Sequence, residues 1–132
     1  PLPAEAIVYG RLPLMVTENC LVQNETGCRL DRQGPCVPED GPCRCGQPNV
    51  LVDRTGAAFP LLPAYGHRTE IQNSKPLYLA DRPEHRRLGL AYARLRFTTE
   101  TAEECVSVVQ NYLDAAPAAG DFTRGLYERG VE

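Results

Sequence analysis

The sequence predicts an α/β protein whose strands and helices have the mixed α+β arrangement of a single small domain. Three features support this class: two apolar extended runs within residues 5–17, a β-hairpin pattern over residues 49–62, and a strand that leads into an amphipathic helix over residues 92–115. Alternation of apolar and polar residues indicates a strand, whereas recurrence every three or four residues indicates a helix.

The chain starts with two apolar segments that favour extended structure. EAIVYG, residues 5–10, has the composition of a buried strand, and LPLMVT, residues 12–17, follows as a second run. From Glu18 to Asn49 the apolar periodicity ends, and this segment holds five of the six cysteines. A loop of this length cannot bury a core of its own, so it needs an external staple unless it is disordered. We therefore expect a cysteine-rich loop over residues 18–49.

The middle of the chain predicts a hairpin and a short helix. NVLVDRTGAAFPLL, residues 49–62, contains two extended runs around a turn in which Gly56 supplies the positive φ angle. In the extended segment that follows, Pro76 lacks an N–H group, which argues against a central strand through that position. PEHRRLGL, residues 83–90, predicts a short helix with its proline in the first turn.

The last third predicts a strand followed by a helix. In ARLRF, residues 93–97, three apolar residues alternate with two arginines, which indicates one buried face. The following TAEE, residues 101–104, fits a capping box at a helix start. Apolar residues then recur at helical spacing, namely Ala102, Cys105, Val109 and Tyr112.

Composition restricts the classes of partner. The net charge is −3 and the isoelectric point is about 5.4, which argues against a purely electrostatic attraction to nucleic acid or to an anionic membrane. We find no apolar run of the roughly 18 residues that a membrane helix needs and no signal-peptide pattern. We expect a cytoplasmic protein, and the start without methionine predicts that these 132 residues are a one-domain fragment of a longer chain.

Two interpretations of the cysteines compete. An even number of six allows a disulfide scaffold, but Cys105 falls on the apolar face of the predicted helix as a core residue, which leaves five. The alternative is a metal or iron–sulfur site, because thiolates bind zinc and a structural zinc contributes folding energy. The spacing is not that of paired C-x-x-C motifs. His67 is a candidate additional ligand. His85 is followed by two arginines, beside which a metal cation is disfavoured, so we expect it to be a solvated surface residue.

Several motifs occur in a characteristic order along most of the chain: EAIVYGRLPLMVTENC, LVDRTGAAFPLL, HRTEIQNSKPLYLADR, ARLRFTTETAEE and FTRGLYERG. Together they resemble the peptidase U32 family, the collagenase-like protease group. The resemblance implies a (β/α)-barrel core, of which this chain would form a partial set of strands and helices. Residues 5–10 would then be a barrel strand that ends at the functional face.

The resemblance also implies a set of four metal ligands: Cys20, Cys28, Cys45 and His67. His67 stands in HRTEIQNS where relatives have a cysteine, and Cys36 and Cys43 are alternates for the third ligand because they lie in a local insertion. Three cysteines and one histidine predict zinc. A [4Fe–4S] cluster is the alternative cofactor, and the histidine makes it the less favoured one.

For function, the resemblance implies a peptidase, and other relatives are linked to hydroxylation of tRNA or rRNA bases and of ubiquinone. The sequence itself shows no nucleophile with an adjacent base and no HExxH motif. Arg54 and Arg68 are candidates to contact an RNA phosphate or a peptide carboxylate, with ion pairs to Asp53 or Glu70 as the alternative. A third hypothesis is a purely structural, zinc-stapled module.

The expected partners are the rest of the full-length chain and an RNA or peptide substrate. A partial barrel leaves strand edges unpaired, so self-association of the fragment is also expected.

Overall fold

A computed structural model describes residues 2–26, 47–64, 67–82 and 84–127. It confirms the mixed α+β class. Within those ranges the elements in chain order are β1 (Glu5–Gly10), β2 (Pro13–Thr17), α1 (Leu21–Thr26), β3 (Asn49–Val52), β4 (Ala58–Ala64), β5 (Arg68–Gln72), β6 (Leu77–Tyr78), α2 (Glu84–Arg87), β7 (Tyr92–Leu95) and α3 (Ala102–Leu113). None of these helices has the length and apolar character needed to cross a membrane.

The chain divides into two compact units. The first combines the residues up to Leu12 with those from Lys75 onward, and the second is formed by Pro13–Ser74. Each unit has its own sheet: three strands in the order β6-β1-β7 in the first, and four strands in the order β2-β5-β4-β3 in the second.

In the first unit, β1 is the central strand. It pairs in antiparallel fashion with β6 and in parallel with β7, from Glu5 opposite Tyr92 to Tyr9 opposite Leu95. Neighbouring strand residues point to opposite faces of the sheet, and accordingly Val8 and Tyr9 belong to two different core clusters. Tyr112 of α3 packs against both clusters, so this helix joins the two faces of the core.

The hydroxyl group of Tyr112 ties α3 to the sheet. It donates a hydrogen bond to the carbonyl oxygen of Val8 and accepts one from the N–H of Leu79 at 2.8 Å. Burial raises the pKa of Tyr112 to about 12, so the hydroxyl keeps its proton across the physiological range. A single side chain thereby satisfies backbone groups on two separate segments.

Gly10 allows the end of β1 to approach the chain that follows β7. The N–H of Arg96 donates to the carbonyl oxygen of Tyr9 at 2.9 Å, and Gly10 has a φ angle of 122°. A Cβ atom at this position would lie 2.1 Å from the carbonyl oxygen of Arg96. Only glycine fits here, because the space and the backbone angle both exclude a side chain.

The capping box at the start of α3 is confirmed. The N–H of Glu104 donates to Oγ1 of Thr101 at 3.3 Å, and the N–H of Thr101 donates to Oε2 of Glu104 at 2.7 Å. The apolar face of this helix is less covered than the sequence predicts, because Cys105 is only partly buried and Val109 is 41% exposed.

The predicted hairpin is also confirmed, as β3 and β4 of the second unit. The turn contains Gly56 with a φ angle of 87°, and the carboxylate of Asp53 accepts hydrogen bonds from the N–H groups of Thr55 and Ala57. This side chain replaces backbone partners within the turn, as aspartate commonly does. Pro76 lies just before β6, a two-residue strand at a sheet edge, as its missing N–H requires.

Two sequence-based expectations are wrong. The segment from residue 18 to 49 is not loop throughout, since α1 occupies Leu21–Thr26. The N–H of Leu21 donates to Oγ1 of Thr69 on β5 at 3.0 Å, so this helix start is satisfied by a residue distant in sequence. His85 is not a solvated surface residue: it is 6% exposed, because the single turn of α2 directs it inward beside Leu90 and Tyr112.

Replacing Tyr112 with phenylalanine is expected to lower the free energy of unfolding by about 1–3 kcal/mol, because the N–H of Leu79 loses its hydrogen-bond partner in a buried place. Urea denaturation monitored by circular dichroism measures the change. The matched control is Tyr92→Phe, whose ring is 62% exposed and whose stability should stay unchanged. Equal stabilities of the two variants would contradict this account.

Gly10→Ala is expected to destabilise the protein by about 3 kcal/mol or more, because the new methyl group meets a backbone carbonyl and the φ angle is positive. Gly120→Ala is the control, since Gly120 has a φ angle of 77° but no atom within 4 Å of a built Cβ. The control carries only the left-handed backbone cost of about 1–2 kcal/mol. Equal decreases of the melting temperature in both variants would contradict the close approach of Gly10 to the carbonyl oxygen of Arg96.

Candidate functional site

A cavity of about 520 Å³ lies at the carboxyl ends of the parallel strands β1 and β7, next to the first turns of α3. Ligands of proteins with parallel sheets commonly bind at this edge. Aromatic rings form part of its wall, namely Tyr9, Tyr78 and Phe122. Its polar lining comprises Arg11, Thr99, Glu100, Glu104, Ser107, Asn111 and Asp121.

Tyr9 and Glu100 form the central polar pair of this cavity. The hydroxyl of Tyr9 donates to Oε1 of Glu100 at 3.2 Å, while Oε2 of Glu100 accepts the N–H groups of Thr98 at 2.7 Å and Thr99 at 3.0 Å. Three donors therefore converge on one carboxylate, which strongly favours its charged form.

The protonation states of this pair follow from the same contacts. Burial raises the pKa of Tyr9, and the charge of Glu100 and the hydrogen bond to it raise it further. Burial acts against ionisation of Glu100, but the backbone N–H groups and the Tyr9 hydroxyl outweigh it and hold the pKa of that carboxyl below its usual value. At neutral pH the pair is a neutral phenol and a carboxylate, so it orients groups rather than exchanging protons.

Arg11 and α3 supply the rest of the polar lining. Nε of Arg11 donates to Oγ1 of Thr99 at 3.3 Å, which places the guanidinium at the edge of the cavity. Glu104, Ser107 and Asn111 stand three and four residues apart on α3 and therefore share one helix face. Among the described lining residues no nucleophile lies hydrogen-bonded to a base.

The second unit contains the two predicted metal ligands that the structure describes, Cys20 and His67. Glu18 and Arg68 form an ion pair at 2.9 Å, and the N–H of Leu21 bonds to Thr69 at 3.0 Å. These contacts hold the segment containing Cys20 against the start of β5, which His67 directly precedes. Cys20 is a buried free thiol with 8% exposure, and His67 is half-buried with a φ angle of 59°.

The donors at this corner fit a thiophilic metal. A thiol sulfur and an imidazole nitrogen are the ligand types that zinc prefers. The other candidate ligands lie outside the described residues, namely Cys28, Cys36, Cys43 and Cys45. Within the described ranges, no three His, Cys, Asp or Glu residues are grouped as a metal would need. The four-ligand site therefore stays a prediction.

The two predicted substrate-binding arginines also lie in the second unit, and the cavity lies in the first. Arg68 pairs with Glu18, not with the partners that the sequence suggested. Arg54 is exposed in the turn between β3 and β4, where the Asp53 carboxylate is occupied by turn hydrogen bonds. The geometry gives Arg68 a structural role and leaves Arg54 at the surface.

Comparison with protein-family models, with curated proteins and with solved structures finds no match to this chain. The assignment to the peptidase U32 family therefore depends on the sequence motifs alone and remains a hypothesis.

The cavity residues were missed by sequence reasoning. Tyr9, Arg11 and Glu100 come together only because β1 and β7 pair in parallel across a large sequence separation. The available signal was local: polar residues, TTE, stand between the predicted strand and the capping box, where the carboxyl end of a parallel strand carries ligand contacts.

Glu100→Gln is expected to lower the free energy of unfolding by about 1–2 kcal/mol at pH 7, because a charged acceptor of three hydrogen bonds is lost. The pKa of Glu100 is lower in the folded than in the unfolded state. The charged carboxylate therefore stabilises the folded protein fully above pH 4.5, the ordinary pKa of this group, and this contribution is lost as the pH falls through the folded-state pKa. The stability difference between wild type and variant should therefore shrink as the pH falls below 4.5.

Urea titrations between neutral and acid pH measure this difference. The control is Glu103→Gln on the exposed side of α3, for which we expect little change at any pH. A Glu100→Gln effect that stays constant from neutral to acid pH would rule out the proposed charge state.

Proposed function

We propose that this chain is the metal-binding segment of a protein of the peptidase U32 family. In this proposal a zinc ion is held by the four ligands implied by the motifs, namely Cys20, Cys28, Cys45 and His67. The observation that supports it best is the corner of the second unit, where an ion pair and a helix-capping hydrogen bond bring the segment of Cys20 to the strand that follows His67.

The described side chains have clear roles in this proposal. Thr69 fixes the start of α1 and so fixes the position of Cys20, which immediately precedes that helix. The ion pair of Glu18 with Arg68 holds the same segment against β5. When bound, zinc would supply folding energy to a segment that lacks apolar periodicity, and four protein ligands would leave no position for a reactive water.

The wider assignment follows from the resemblance. A parallel strand pair followed by a helix, as in β1, β7 and α3, is consistent with part of a (β/α)-barrel, and we propose that the rest of the full-length chain supplies the other strands. The family name favours peptidase activity in that complete protein. Since the described cavity contains no paired nucleophile and base, we assign this segment a structural and binding role rather than the hydrolytic step.

RNA base hydroxylation with a [4Fe–4S] cluster is the alternative function. It uses the same cysteine-rich segment, but a histidine among the ligands favours zinc over a cluster. We propose a cytoplasmic location, because cysteines that serve as metal ligands must stay reduced.

Metal analysis of protein purified without oxygen tests the proposal. We expect one zinc per chain and no visible absorption in the wild type, and loss of zinc in Cys20→Ser and in His67→Asn. Asparagine is chosen at position 67 because it tolerates the positive φ angle found there. Cys105→Ser is the matched control, since this thiol lies on α3 in the other unit and should not affect the metal.

The outcomes separate the hypotheses. Detection of iron together with broad visible absorption would show that the cofactor is the iron–sulfur cluster and not zinc. Full zinc content in Cys20→Ser protein would contradict the proposal. Absence of any metal in the wild type would also contradict it and would favour the disulfide scaffold. The Cys45→Ser variant should lose zinc, whereas the Cys43→Ser variant should retain it. The reverse result would identify Cys43 as the third ligand in place of Cys45.

A further inference from the structure

We propose that the cavity at the carboxyl ends of β1 and β7 binds an alkylammonium group, with Glu104 as its counter-ion. This ligand class depends neither on the family assignment nor on the metal, because the cavity is lined wholly by residues of the first unit.

The size and the position of the cavity suit a small organic ligand. Its volume of about 520 Å³ falls within the range of roughly 300–1,000 Å³ that is typical of small-molecule sites. The wall combines apolar and aromatic side chains such as Val108, Tyr78 and Phe122 with polar side chains of α3. An amphipathic ligand with an alkyl chain and one polar end matches this mixed lining.

The charges of the lining favour a cation. Three carboxylates line the cavity, whereas Arg11 is its one cationic lining residue within the described chain. Asp121 forms an ion pair with Lys75 at 3.0 Å, and Glu100 is held by Tyr9 and the backbone. Burial is the main cause of the raised pKa of Tyr9, and both Glu100 and Glu104 raise it further while Arg11 lowers it. When Lys75 is counted with Arg11, these groups carry three negative and two positive charges, so an excess of one negative charge remains.

Glu104 is the carboxylate placed to meet a ligand. Its capping hydrogen bond with the N–H of Thr101 uses Oε2. Ser107 and Asn111 follow on the same helix face and offer a hydroxyl and a carboxamide oxygen. An ammonium group has three N–H donors and no acceptor. Glu104 and Ser107, one turn apart, therefore offer two acceptors for one –NH₃⁺ group, and Asn111 lies about 10 Å further along the helix than Glu104, where it can contact the rest of the ligand.

The aromatic cluster beside the cavity already accepts a cation. The guanidinium carbon of Arg124 lies 4.6 Å from the ring centre of Phe122, and that ring lies 6.2 Å from the ring of Tyr78. Aromatic faces attract cations through their quadrupole, most strongly where water is excluded. A ligand ammonium or its adjacent methylene groups would add to this set of contacts.

Isothermal titration calorimetry with three probes of similar length tests the charge preference. We expect saturable binding of n-pentylamine, binding of 1-pentanol that is about fivefold weaker because Glu104 gives it no charge pairing, and no binding of hexanoate. Stronger binding of hexanoate than of n-pentylamine, or no saturable binding of n-pentylamine, would overturn the proposal.

Variants assign the binding to this cavity. Glu104→Gln keeps a side chain compatible with the capping box and should weaken n-pentylamine binding about fivefold, as loss of a partly exposed ion pair predicts. Glu103→Gln, its neighbour outside the cavity lining, should leave affinity unchanged. Arg11→Gln removes the opposing charge and should strengthen binding by about twofold to fivefold. Equal effects of the two glutamate variants would overturn the assignment of Glu104.

The same chemistry can come from a free amine or from a lysine side chain of a peptide. Titration with Nα-acetyl-lysine N-methylamide distinguishes them. Tighter binding than that of n-pentylamine supports a lysine-containing peptide as the source, and weaker binding supports a free alkylamine.

Discussion

The parallel pairing of β1 with β7 is the contact on which the first unit depends. It joins the beginning of the chain to residues that come more than half the sequence later, and it makes β1 the centre of the sheet. Gly10 permits the close approach at the end of this pair, and Tyr112 then secures α3 across it. The hydrogen bond from Tyr9 to Glu100 in the cavity follows from this pairing.

The second unit is organised by short polar contacts around β5. Thr69 caps α1 and Arg68 pairs with Glu18, so the residues at the start of α1 are held against β5. An exposed ion pair contributes little stability by itself, typically about 0–1 kcal/mol. Such contacts hold the residues on either side of Cys20 against β5 but cannot supply much folding energy. A metal bound by Cys20 and His67 would supply the folding energy that these polar contacts do not, and this is the physical argument for a structural role of the metal.

The sequence predicted the elements whose causes are local. The hairpin with Gly56, the capping box of Thr101 and Glu104, and the strand before α3 all depend on residues close together in the chain. Features that depend on distant contacts were not predicted. Helix α1 begins with a hydrogen bond to Thr69 on another strand, and His85 is buried by packing that one turn of helix does not reveal. The cavity falls in the same category, and the ligand roles of Cys20 and His67, which the family motifs imply, stay a prediction.

The proposed metal site combines sulfur and nitrogen ligands from segments that lie far apart in the sequence. X-ray absorption spectroscopy at the zinc edge measures the ligand types directly, without depending on stability. The account predicts a first shell of three sulfur atoms and one imidazole nitrogen, which becomes a shell with one sulfur fewer in Cys20→Ser protein if any zinc is retained. A first shell of oxygen and nitrogen alone, without sulfur, would contradict the account.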